Sequence, residues 1–549
     1  MNTSPTPDPP SHDTTGVNAT GQGVNGPIPA TAHSVRPDRY PPAVLPGILA
    51  TAGRRYADRP AVESPTGPPI GYADLDQVSD EVAVGLAHRG LAEGSVLLLS
   101  LPSGLPYLVA YLAAAKLGAI TAGANPRLGA SERTVLAQTV APDLVLATDD
   151  LVGGIPDHLE VDLVSGSDSA SHALAEYREP GQRPDRLPTD PDRPVCICFT
   201  SGSTGDPKGA LFANRQLEAI AEMDRGGAWG EGGHLIPGTA LAHVGAMTKL
   251  GWQLAAGTTL HLLDRWKAGD VLDLVDRFRI PAITGVAAQV ALMLDDPSFD
   301  DHDFDCVQAI VVGGGPSPPD LVTAARRKFG APYSNRYSST ESGGIGLATA
   351  LDANDEEALH TVGRPRPGVE ADVRDEEGRP VEPGEVGELW LRTPSSMVGY
   401  RHDPGATAAT LVDGWLRTGD RARVDDQGCY RLAGRVDDMY IRGGYNVHPQ
   451  EVEAVISAHD GVAEVAVVPR PDPVMGQVGV AVVVPTDPDR PPTLDDLVRV
   501  SRTALAAYKV PADLLVVDAL PLNSAHKLDR RALSEVVGES PSTGPNDER

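Results

Sequence analysis

Short apolar runs alternate with helical patterns through most of the chain. The run at 95–101 predicts a buried strand, and the stretch at 105–118, which closes on Gly118, predicts a helix. Further elements are predicted at similar spacing, namely a helix at 131–140 and strands at 119–123, 143–149, 195–200, 282–286, 307–315 and 333–337. Strands that alternate with helices indicate a large N-terminal α/β domain with parallel-type sheets, in which functional loops lie at the carboxyl ends of the strands.

The pattern changes after Gly434, where the segments become shorter. Two helices and three strands are predicted here, the helices at 449–459 and 494–507 and the strands at 462–468, 478–484 and 513–520. This mixture is typical of a compact α+β domain. We therefore predict a large domain at 39–434 and a small C-terminal domain at 438–537.

The ends of the chain and its net charge exclude several classes of protein. Residues 1–38 and 538–549 are rich in Pro, Gly, Thr, Asn, Asp and Ser and poor in apolar side chains, so both are expected to be disordered tails. A net charge of −29 disfavours nucleic acid as a partner. The chain has no window of about 20 apolar residues and no secretory signal at its start, so we expect no membrane span and a cytoplasmic location.

Two of the four cysteines lie in one predicted strand. Cys196 and Cys198 are two residues apart in the run at 195–200. Side chains at this spacing point to the same face of a strand. Because the cysteines form no paired CxxC pattern, zinc binding and disulfides are disfavoured, and we expect this pair to pack in the core.

The segment TSGSTGDPKG at 200–209 directly follows that predicted strand. Its glycines permit unusual backbone turns, its hydroxyls and main-chain amides donate hydrogen bonds, and Lys208 adds a positive charge. These are the groups that a polyphosphate requires. The spacing is not that of a Walker A loop, because Asp206 and Pro207 separate Gly205 from Lys208.

This loop resembles the phosphate loop of the adenylate-forming superfamily, which includes acyl- and aryl-CoA synthetases, adenylation domains of peptide synthetases and beetle luciferases. Further segments match in the family's order, namely LAHVGAM (241–247), VVGGGPSP (311–318), YSSTE (337–341), GWLRTGD (414–420), GRVDDMYIRGGYNVHPQEVE (434–453) and LPLNSAHKLDRRAL (520–533). The resemblance, strongest to acyl- and aryl-CoA synthetases, implies an enzyme that uses ATP and Mg²⁺ to convert a carboxylic acid to an acyl-adenylate with release of pyrophosphate. The acyl group would then pass to the thiol of CoA, giving acyl-CoA and AMP.

The resemblance implies a nucleotide site spread over the large domain. Tyr337 would stack on adenine, and Asp420 would accept hydrogen bonds from both ribose hydroxyls, as an acceptor-only carboxylate can. Thr340 would bind the α-phosphate, and Glu341 would hold Mg²⁺ through hard oxygen ligands. The residues implied to contact ATP or AMP are Thr200, Ser201, Gly202, Ser203, Thr204, Gly205, Lys208, Gly314, Gly315, Pro316, Tyr337, Asp420 and Arg435.

The same resemblance implies the catalytic residues and the acyl pocket. Lys527 would bridge the attacking carboxylate and the α-phosphate while negative charge builds. The implied catalytic set is completed by Thr340, Glu341 and His243. The pocket would be lined by His243, Met247, Ala287, Gly313 and Ser338, and Ser338 stands where the family usually has glycine.

A further group of residues is implied to act after adenylation. Asp437 matches the family's hinge position, which places a hinge at 435–437, next to the domain boundary predicted from composition. Gly443 and Gly444 match the loop that borders the tunnel for the pantetheine arm of CoA. Rotation of a mobile small domain about the hinge would withdraw Lys527 and present this loop.

Two alternatives stay open at this point. The acceptor could be the pantetheine of a carrier protein instead of CoA, in which case the enzyme would load an aryl or acyl group onto that protein. A non-catalytic nucleotide- or acyl-binding homologue is disfavoured, since Glu341, Asp420 and Lys527 are all retained. Amino-acid substrates are also disfavoured, because Val244 stands where an amine-binding aspartate is expected.

Overall fold

The structure, a computed structural model, covers most of the chain between its two ends. It describes residues 44–64, 67–165, 172–200, 207–226, 230, 232–263, 265–315, 317–435, 439–442, 445–472, 475–505, 507–523 and 527–539. The predicted tail at 1–38 lies outside the described residues, as do Ser201, Gly202, Ser203, Thr204, Gly205, Pro316, Asp437, Gly443 and Gly444.

The first part of the chain alternates strands and helices as predicted. Its elements are α1 (Leu45–Arg55), β1 (Pro60–Ser64), β2 (Gly67–Gly71), α2 (Tyr72–His88), β3 (Val96–Ser100), α3 (Leu105–Leu117), β4 (Ile120–Gly123), α4 (Ala130–Val140), β5 (Leu144–Ala147) and β6 (Val161–Leu163). Helix α3 ends because Gly118 adopts a φ of 70°, a left-handed conformation that favours glycine. All five residues of β3 are buried, as expected for a strand covered on both faces.

The middle of the chain continues this alternation. Its elements are β7 (Pro194–Phe199), β8 (Gly209–Ala213), α5 (Asn214–Arg225), β9 (His234–Leu235), α6 (Val244–Met247), α7 (Leu250–Ala256), β10 (Thr259–His261), α8 (Ala268–Phe278), β11 (Ala282–Gly285), α9 (Ala287–Leu294), β12 (Ala309–Gly313), α10 (Pro319–Phe329) and β13 (Tyr333–Tyr337). Cys196 and Cys198 on β7 are free thiols in the main core, which confirms the prediction that they pack there.

The remainder of the large domain is mostly strand. Its elements are β14 (Leu347–Ala348), α11 (Asp355–His360), β15 (Arg364–Pro365), β16 (Glu370–Arg374), β17 (Gly387–Arg392), β18 (Gly399–Tyr400), α12 (Pro404–Thr410), β19 (Leu411–Val412), β20 (Trp415–Val424) and β21 (Tyr430–Arg435). Strands β16, β17, β20, β19 and β21 form an antiparallel sheet that was not foreseen from the sequence. Its residues nevertheless reach the nucleotide site, because β20 and β21 carry two of the predicted contacts.

Two larger sheets organise the α/β part. One has the order β18-β8-β7-β4-β3-β5-β6, with parallel pairing from β7 to β6 and antiparallel pairing of β8 and β18 at its edge. The other has the order β11-β12-β13-β14-β15, and its first three strands are parallel. A smaller sheet, β2-β1-β10-β9, flanks them. The predicted α/β domain with parallel-type sheets is confirmed.

The C-terminal part is a separate α+β unit, as predicted. Its elements are β22 (Tyr440–Arg442), β23 (Tyr445–Val447), α13 (Pro449–Ile456), β24 (Val462–Asp472), β25 (Gly476–Pro485), α14 (Leu494–Ala504), β26 (Asp513–Val516) and α15 (Arg530–Glu539). The strands form one sheet, with α13 and α14 packed on one face and α15 on the other. Helix α15 continues through Glu539, two residues into the segment predicted as a tail. Across the described residues, every helix is too short or too polar to traverse a lipid bilayer.

Candidate active site

Thr200 and Lys208 lie at the two ends of the predicted phosphate loop. Strands β7 and β8 pair antiparallel on either side of the loop, with Phe199 opposite Gly209. The Thr200 amide donates a hydrogen bond of 3.0 Å to the Lys208 carbonyl, and the Lys208 amide donates one of 3.1 Å to Thr200 Oγ1. The loop is therefore closed at its base as a β-hairpin, which holds Lys208 beside the edge of the sheet.

Tyr400 connects Lys208 to Glu341, a contact not foreseen from the sequence. Its hydroxyl donates a hydrogen bond of 2.7 Å to Glu341 Oε1, and the Lys208 ammonium lies 5.3 Å from the centre of its ring. Burial, together with the Glu341 carboxylate, raises the pKa of Tyr400, so the phenol stays a neutral donor. No local motif marks Tyr400. It reaches the site because β18 pairs with β8, which sets Tyr400 opposite Ala210.

Glu341 fits the role of a magnesium ligand that shares the ion with phosphate oxygens. It lies in the turn after β13, where the Gly343 amide bonds the Thr340 carbonyl at 3.0 Å and the Met397 amide bonds the Glu341 carbonyl at 2.7 Å. The described residues contain no cluster of three or more metal-ligating side chains. The carboxylate of Glu341 is nevertheless the ligand type that Mg²⁺ prefers, since proteins hold this ion through one or two carboxylates together with substrate phosphates.

Tyr337, Asp420 and Arg435 form the predicted ribose and adenine end of the site. Asp420 and Arg435 are direct cross-strand neighbours on β20 and β21. Asp420 Oδ1 lies 3.2 Å from an Arg435 guanidinium nitrogen, and Asp420 Oδ2 accepts a hydrogen bond of 2.5 Å from the Tyr337 hydroxyl. Burial raises the pKa of Asp420, whereas Arg435 and Tyr337 favour its ionised form. A carboxylate has about four lone-pair positions, so Asp420 retains capacity for the ribose hydroxyls.

Lys527 of the small domain lies at this same end of the site. Enclosure by the surrounding protein lowers the pKa of Lys527, an effect that the nearby Asp420 and Glu341 carboxylates oppose. Lys527 nevertheless remains exposed to solvent. A turn positions it, since the Asn523 amide donates to the Lys527 carbonyl at 2.7 Å and Asn523 Oδ1 accepts from the Lys527 amide at 3.1 Å.

The glycine turn after β12 lies beside β13 and the start of α9. Gly313 is the register partner of Arg336, and a Cβ at Gly313 would lie 2.9 Å from the Arg336 carbonyl oxygen, so a side chain there is excluded. Gly314 has a φ of 80°, a left-handed conformation that favours glycine. A Cβ at this position would lie 3.5 Å from Val286 Cγ1. Ala287 follows as the first residue of α9. The structure thus brings the predicted pocket residues Gly313 and Ala287 to adjoining strand ends.

His243 caps the short helix α6, and Met247 ends it. The His243 ring accepts a weak hydrogen bond of 3.4 Å from the Gly245 amide. Burial and, secondarily, the positive charge of Lys527 lower the pKa of His243 to about 4, so the ring is neutral at pH 7. Met247 is fully buried, and its sulfur accepts from the Tyr107 hydroxyl at 3.5 Å. His243 thus lies within electrostatic range of Lys527, while Met247 packs in the core behind it.

The hairpin between Thr200 and Lys208, the Asp420 carboxylate and Lys527 from a second domain are the residues for which phosphate, ribose and catalytic roles were predicted. The family model for the AMP-binding enzyme matches residues 49–401, and the model for the C-terminal domain of that enzyme matches residues 451–527. The chain belongs to the AMP-binding enzyme family. The predicted resemblance and the predicted enzyme type, an AMP-forming ligase of the acyl-CoA synthetase kind, are confirmed.

Curated relatives carry names of two kinds. The chain is 31% identical over 479 residues, 85% of its own length and 92% of the other's, to a fatty acid–[acyl-carrier-protein] ligase of Streptomyces coeruleorubidus. It is 30% identical over 481 residues, 85% of its own length and 93% of the other's, to an indoleacetate–CoA ligase of Aromatoleum aromaticum.

Solved structures show the same fold. ATP-bound MatB of Rhodopseudomonas palustris matches with a TM-score of 0.79 at 26% identity, covering 90% of this chain and 99% of that one. An o-succinylbenzoate CoA synthetase of Bacillus subtilis, in complex with its acyl-adenylate intermediate, matches with a TM-score of 0.77 at 25% identity, covering 91% of this chain and 99% of that one.

Proposed function

We propose that this enzyme activates a carboxylic acid with ATP and then transfers the acyl group to the thiol of CoA. In the first step a carboxylate oxygen attacks the α-phosphorus, the bond between the α- and β-phosphates breaks, and pyrophosphate leaves. In the second step the CoA thiolate attacks the acyl carbon, the bond to the phosphate oxygen breaks, and AMP leaves. The products are acyl-CoA, AMP and pyrophosphate.

The observation that carries this proposal is the position of Lys527. It comes from the small C-terminal domain, yet it lies within electrostatic range of Asp420 and Glu341 on the large domain and of His243 at the pocket. An ammonium between the proposed nucleotide and acid sites would lie where negative charge develops when a carboxylate attacks an α-phosphate. This arrangement supports the adenylation step in particular.

The other residues support binding and alignment. Lys208 and the main-chain amides of the loop at 200–209 would hold the β- and γ-phosphates, and Thr340 would bind the α-phosphate. Glu341 would hold Mg²⁺, which would supply positive charge beside the phosphates when bound. Asp420 would fix the ribose, so that the α-phosphate lies in line with the acid. The proposed catalysis is mainly positioning and electrostatic stabilisation.

CoA is the proposed acceptor, and a carrier-protein pantetheine is the second candidate. The name of the Aromatoleum relative favours CoA, and the name of the Streptomyces relative favours a carrier protein. Both acceptors present the same thiol, so the adenylation step is common to them. The hinge proposed at Asp437 and the tunnel loop proposed at Gly443 and Gly444 would serve either acceptor.

The adenylation step is tested by carboxylate-dependent exchange of labelled pyrophosphate into ATP over a panel of aryl, aliphatic and dicarboxylic acids. We expect exchange with at least one acid. Lys527→Ala should reduce that exchange about 10²–10³-fold, the usual effect of removing one group that stabilises transition-state charge. Exchange with no acid would refute the proposal, and full activity of the variant would refute the role of Lys527.

The acceptor is tested with the acid found in the exchange assay. Addition of CoA should release AMP and yield a thioester detectable by mass spectrometry. A pantetheinylated carrier protein, assayed in parallel, should be acylated much more slowly. The matched control for Lys527→Ala in the exchange assay is Lys509→Ala. Lys509 is also on the small domain, but it pairs with Glu451 at 2.6 Å and takes no part in the proposed chemistry. This control should leave exchange unchanged.

A further inference from the structure

Four charged side chains form a group beside the proposed acyl pocket, here called the basic cluster: Asp224, Lys249, Arg336 and Arg366. Asp224 lies in the last turn of α5, Lys249 lies between α6 and α7, Arg336 lies on β13, and Arg366 follows β15. The Asp224 carboxylate lies 2.7 Å from the Lys249 ammonium and 2.9 Å from an Arg366 nitrogen. The side chains of these three residues are 12–18% exposed.

The basic cluster carries more positive than negative charge. Asp224 is already paired with Lys249 and Arg366, and within the described part of the chain it is the one carboxylate whose charge acts on Arg336. Arg336 forms no ion pair with any described residue. The Nε atoms of Arg336 and Arg366 are both buried and have no hydrogen-bond partner among the described residues. Three cations therefore share one carboxylate, which leaves an excess of two positive charges.

Such an excess is costly inside a protein unless an anion compensates it. Burial, and the positive charge of Arg366, lower the pKa of Arg336 to about 10. An arginine at that pKa is still protonated at pH 7, so the charge persists. Arg336 is only partly buried, so part of the residue is accessible to a ligand.

The basic cluster adjoins the residues proposed to line the acyl pocket. Arg336 pairs in register with Gly313, and Ser338 lies two residues further along the chain, just after the end of β13. Lys249 follows Met247 by two residues, and its Cε lies 3.8 Å from the position that a Cβ at Gly344 would occupy. The cluster thus borders the acyl side of β13.

The nucleotide is not the anion that the cluster lacks. Tyr337, the neighbour of Arg336, points to the opposite face of the strand and bonds Asp420. The charges that act on Lys527 and Asp420 include one another, Arg435 and Glu341, and they do not include Arg336. The phosphates proposed for that face therefore have their own cations.

We propose that the acid this enzyme activates carries a second carboxylate, which Arg336 binds with support from the positive excess of the basic cluster. This inference rests on the proposed function, since it names the class of acid. The reacting carboxylate would lie towards Lys527, and the second carboxylate would accept hydrogen bonds from the Arg336 guanidinium, whose planar fork matches a carboxylate. When an acid lacks the second carboxylate, the Arg336 guanidinium is left without an anion, so the site binds such acids poorly.

The test compares dicarboxylic acids with their own monomethyl esters in the pyrophosphate-exchange assay. Each ester keeps the reacting carboxylate and the length of the acid but lacks the second charge. The panel covers malonate, succinate, glutarate and phthalate. We expect the wild-type kcat/KM for the preferred diacid to exceed that for its monoester by roughly 10²-fold or more.

Three variants assign the effect to Arg336. Arg336→Met should lower the diacid-to-ester ratio to about one. Arg336→Lys, which keeps the charge but loses the fork, should give an intermediate ratio. Arg327→Met, a change of an exposed arginine on α10, is the matched control and should keep the wild-type ratio.

A stability measurement separates binding from a structural role. Arg336→Met removes an uncompensated charge, so the ligand-free variant should unfold at the wild-type temperature or above it. A wild-type ratio below ten, or a ratio that Arg336→Met leaves intact, would overturn the inference while the proposed function stands. Exchange with no acid of either kind would overturn both.

Discussion

The two faces of strand β13 differ in how their charges are balanced. On the face of Tyr337, Asp420 and Glu341 are matched by Arg435 and Lys527, and Asp420 has protein partners on both oxygens. On the face of Arg336, three cations share the single carboxylate of Asp224. The first face is organised before any ligand binds, whereas the second is completed by an anion from outside the chain. The difference shows that uncompensated charge in a site indicates the charge of the ligand that the site binds.

The largest expected effect comes from removing the one carboxylate of the basic cluster. Although burial opposes ionisation, Lys249 and Arg366 hold the pKa of Asp224 below its usual range. Asp224→Asn should lower the free energy of unfolding by about 3–5 kcal/mol, because it leaves buried cations unpaired. Urea denaturation would measure this loss. Arg336→Met, which removes a cation instead of the carboxylate, should show no such loss. A loss under about 1 kcal/mol would show that the cluster's charges are not buried.

On the balanced face, a change at Asp420 should act on the nucleotide alone. Asp420→Asn keeps the size of the side chain but turns half of its acceptor capacity into donors. We expect the KM for ATP to rise roughly 10–100-fold, since hydrogen bonds to a charged group are lost. Steady-state kinetics would show this, and the KM for the acid should stay within about twofold. An equal rise in both would contradict the assignment to ribose.

The pH dependence of the free energy of unfolding should reflect the titration of His243. Its folded pKa of about 4 lies below its ordinary value of 6.5, so between these values the unfolded chain binds more protons. The stabilisation is therefore complete above pH 6.5 and is lost as the pH falls towards 4, by about 3 kcal/mol. Unfolding free energies of wild type and His243→Asn, measured from pH 4 to 8, should differ in this window. Parallel curves would disprove the low pKa.

The smallest effect is expected at Tyr400. Tyr400→Phe removes the hydrogen bond to Glu341 but keeps the ring beside Lys208. The loss of one such bond is worth about 1 kcal/mol, so kcat/KM for ATP should fall about fivefold. Tyr430→Phe, which removes a hydroxyl that bonds the Ala371 carbonyl at 2.9 Å on the antiparallel sheet, is a matched control and should leave this constant unchanged. A fall in the control alone would place Tyr400 outside the site.

Much of the fold could be predicted because its signals are local. The apolar run at 95–101 became β3, and the run at 105–118 became α3, ending at Gly118 as expected. The antiparallel sheet of β16, β17, β19, β20 and β21 was missed, because charged residues interrupt the apolar pattern of its strands. These strands are recognised only once their pairing with neighbouring strands is known.

The sequence by itself determined the class of enzyme. Each motif, such as the loop at 200–209 or the segment around Lys527, is a continuous stretch of the chain, and the motifs follow one another in the family's order. Only the tertiary structure placed Tyr400 beside Glu341, 59 positions away in the chain, because the pairing of β18 with β8 fixes where Tyr400 lies. It also revealed the positive excess around Arg336, whose nearest charges, Asp224 and Arg366, are 142 positions apart in the chain. Charge compensation depends on distance in space, and a linear sequence does not contain that distance.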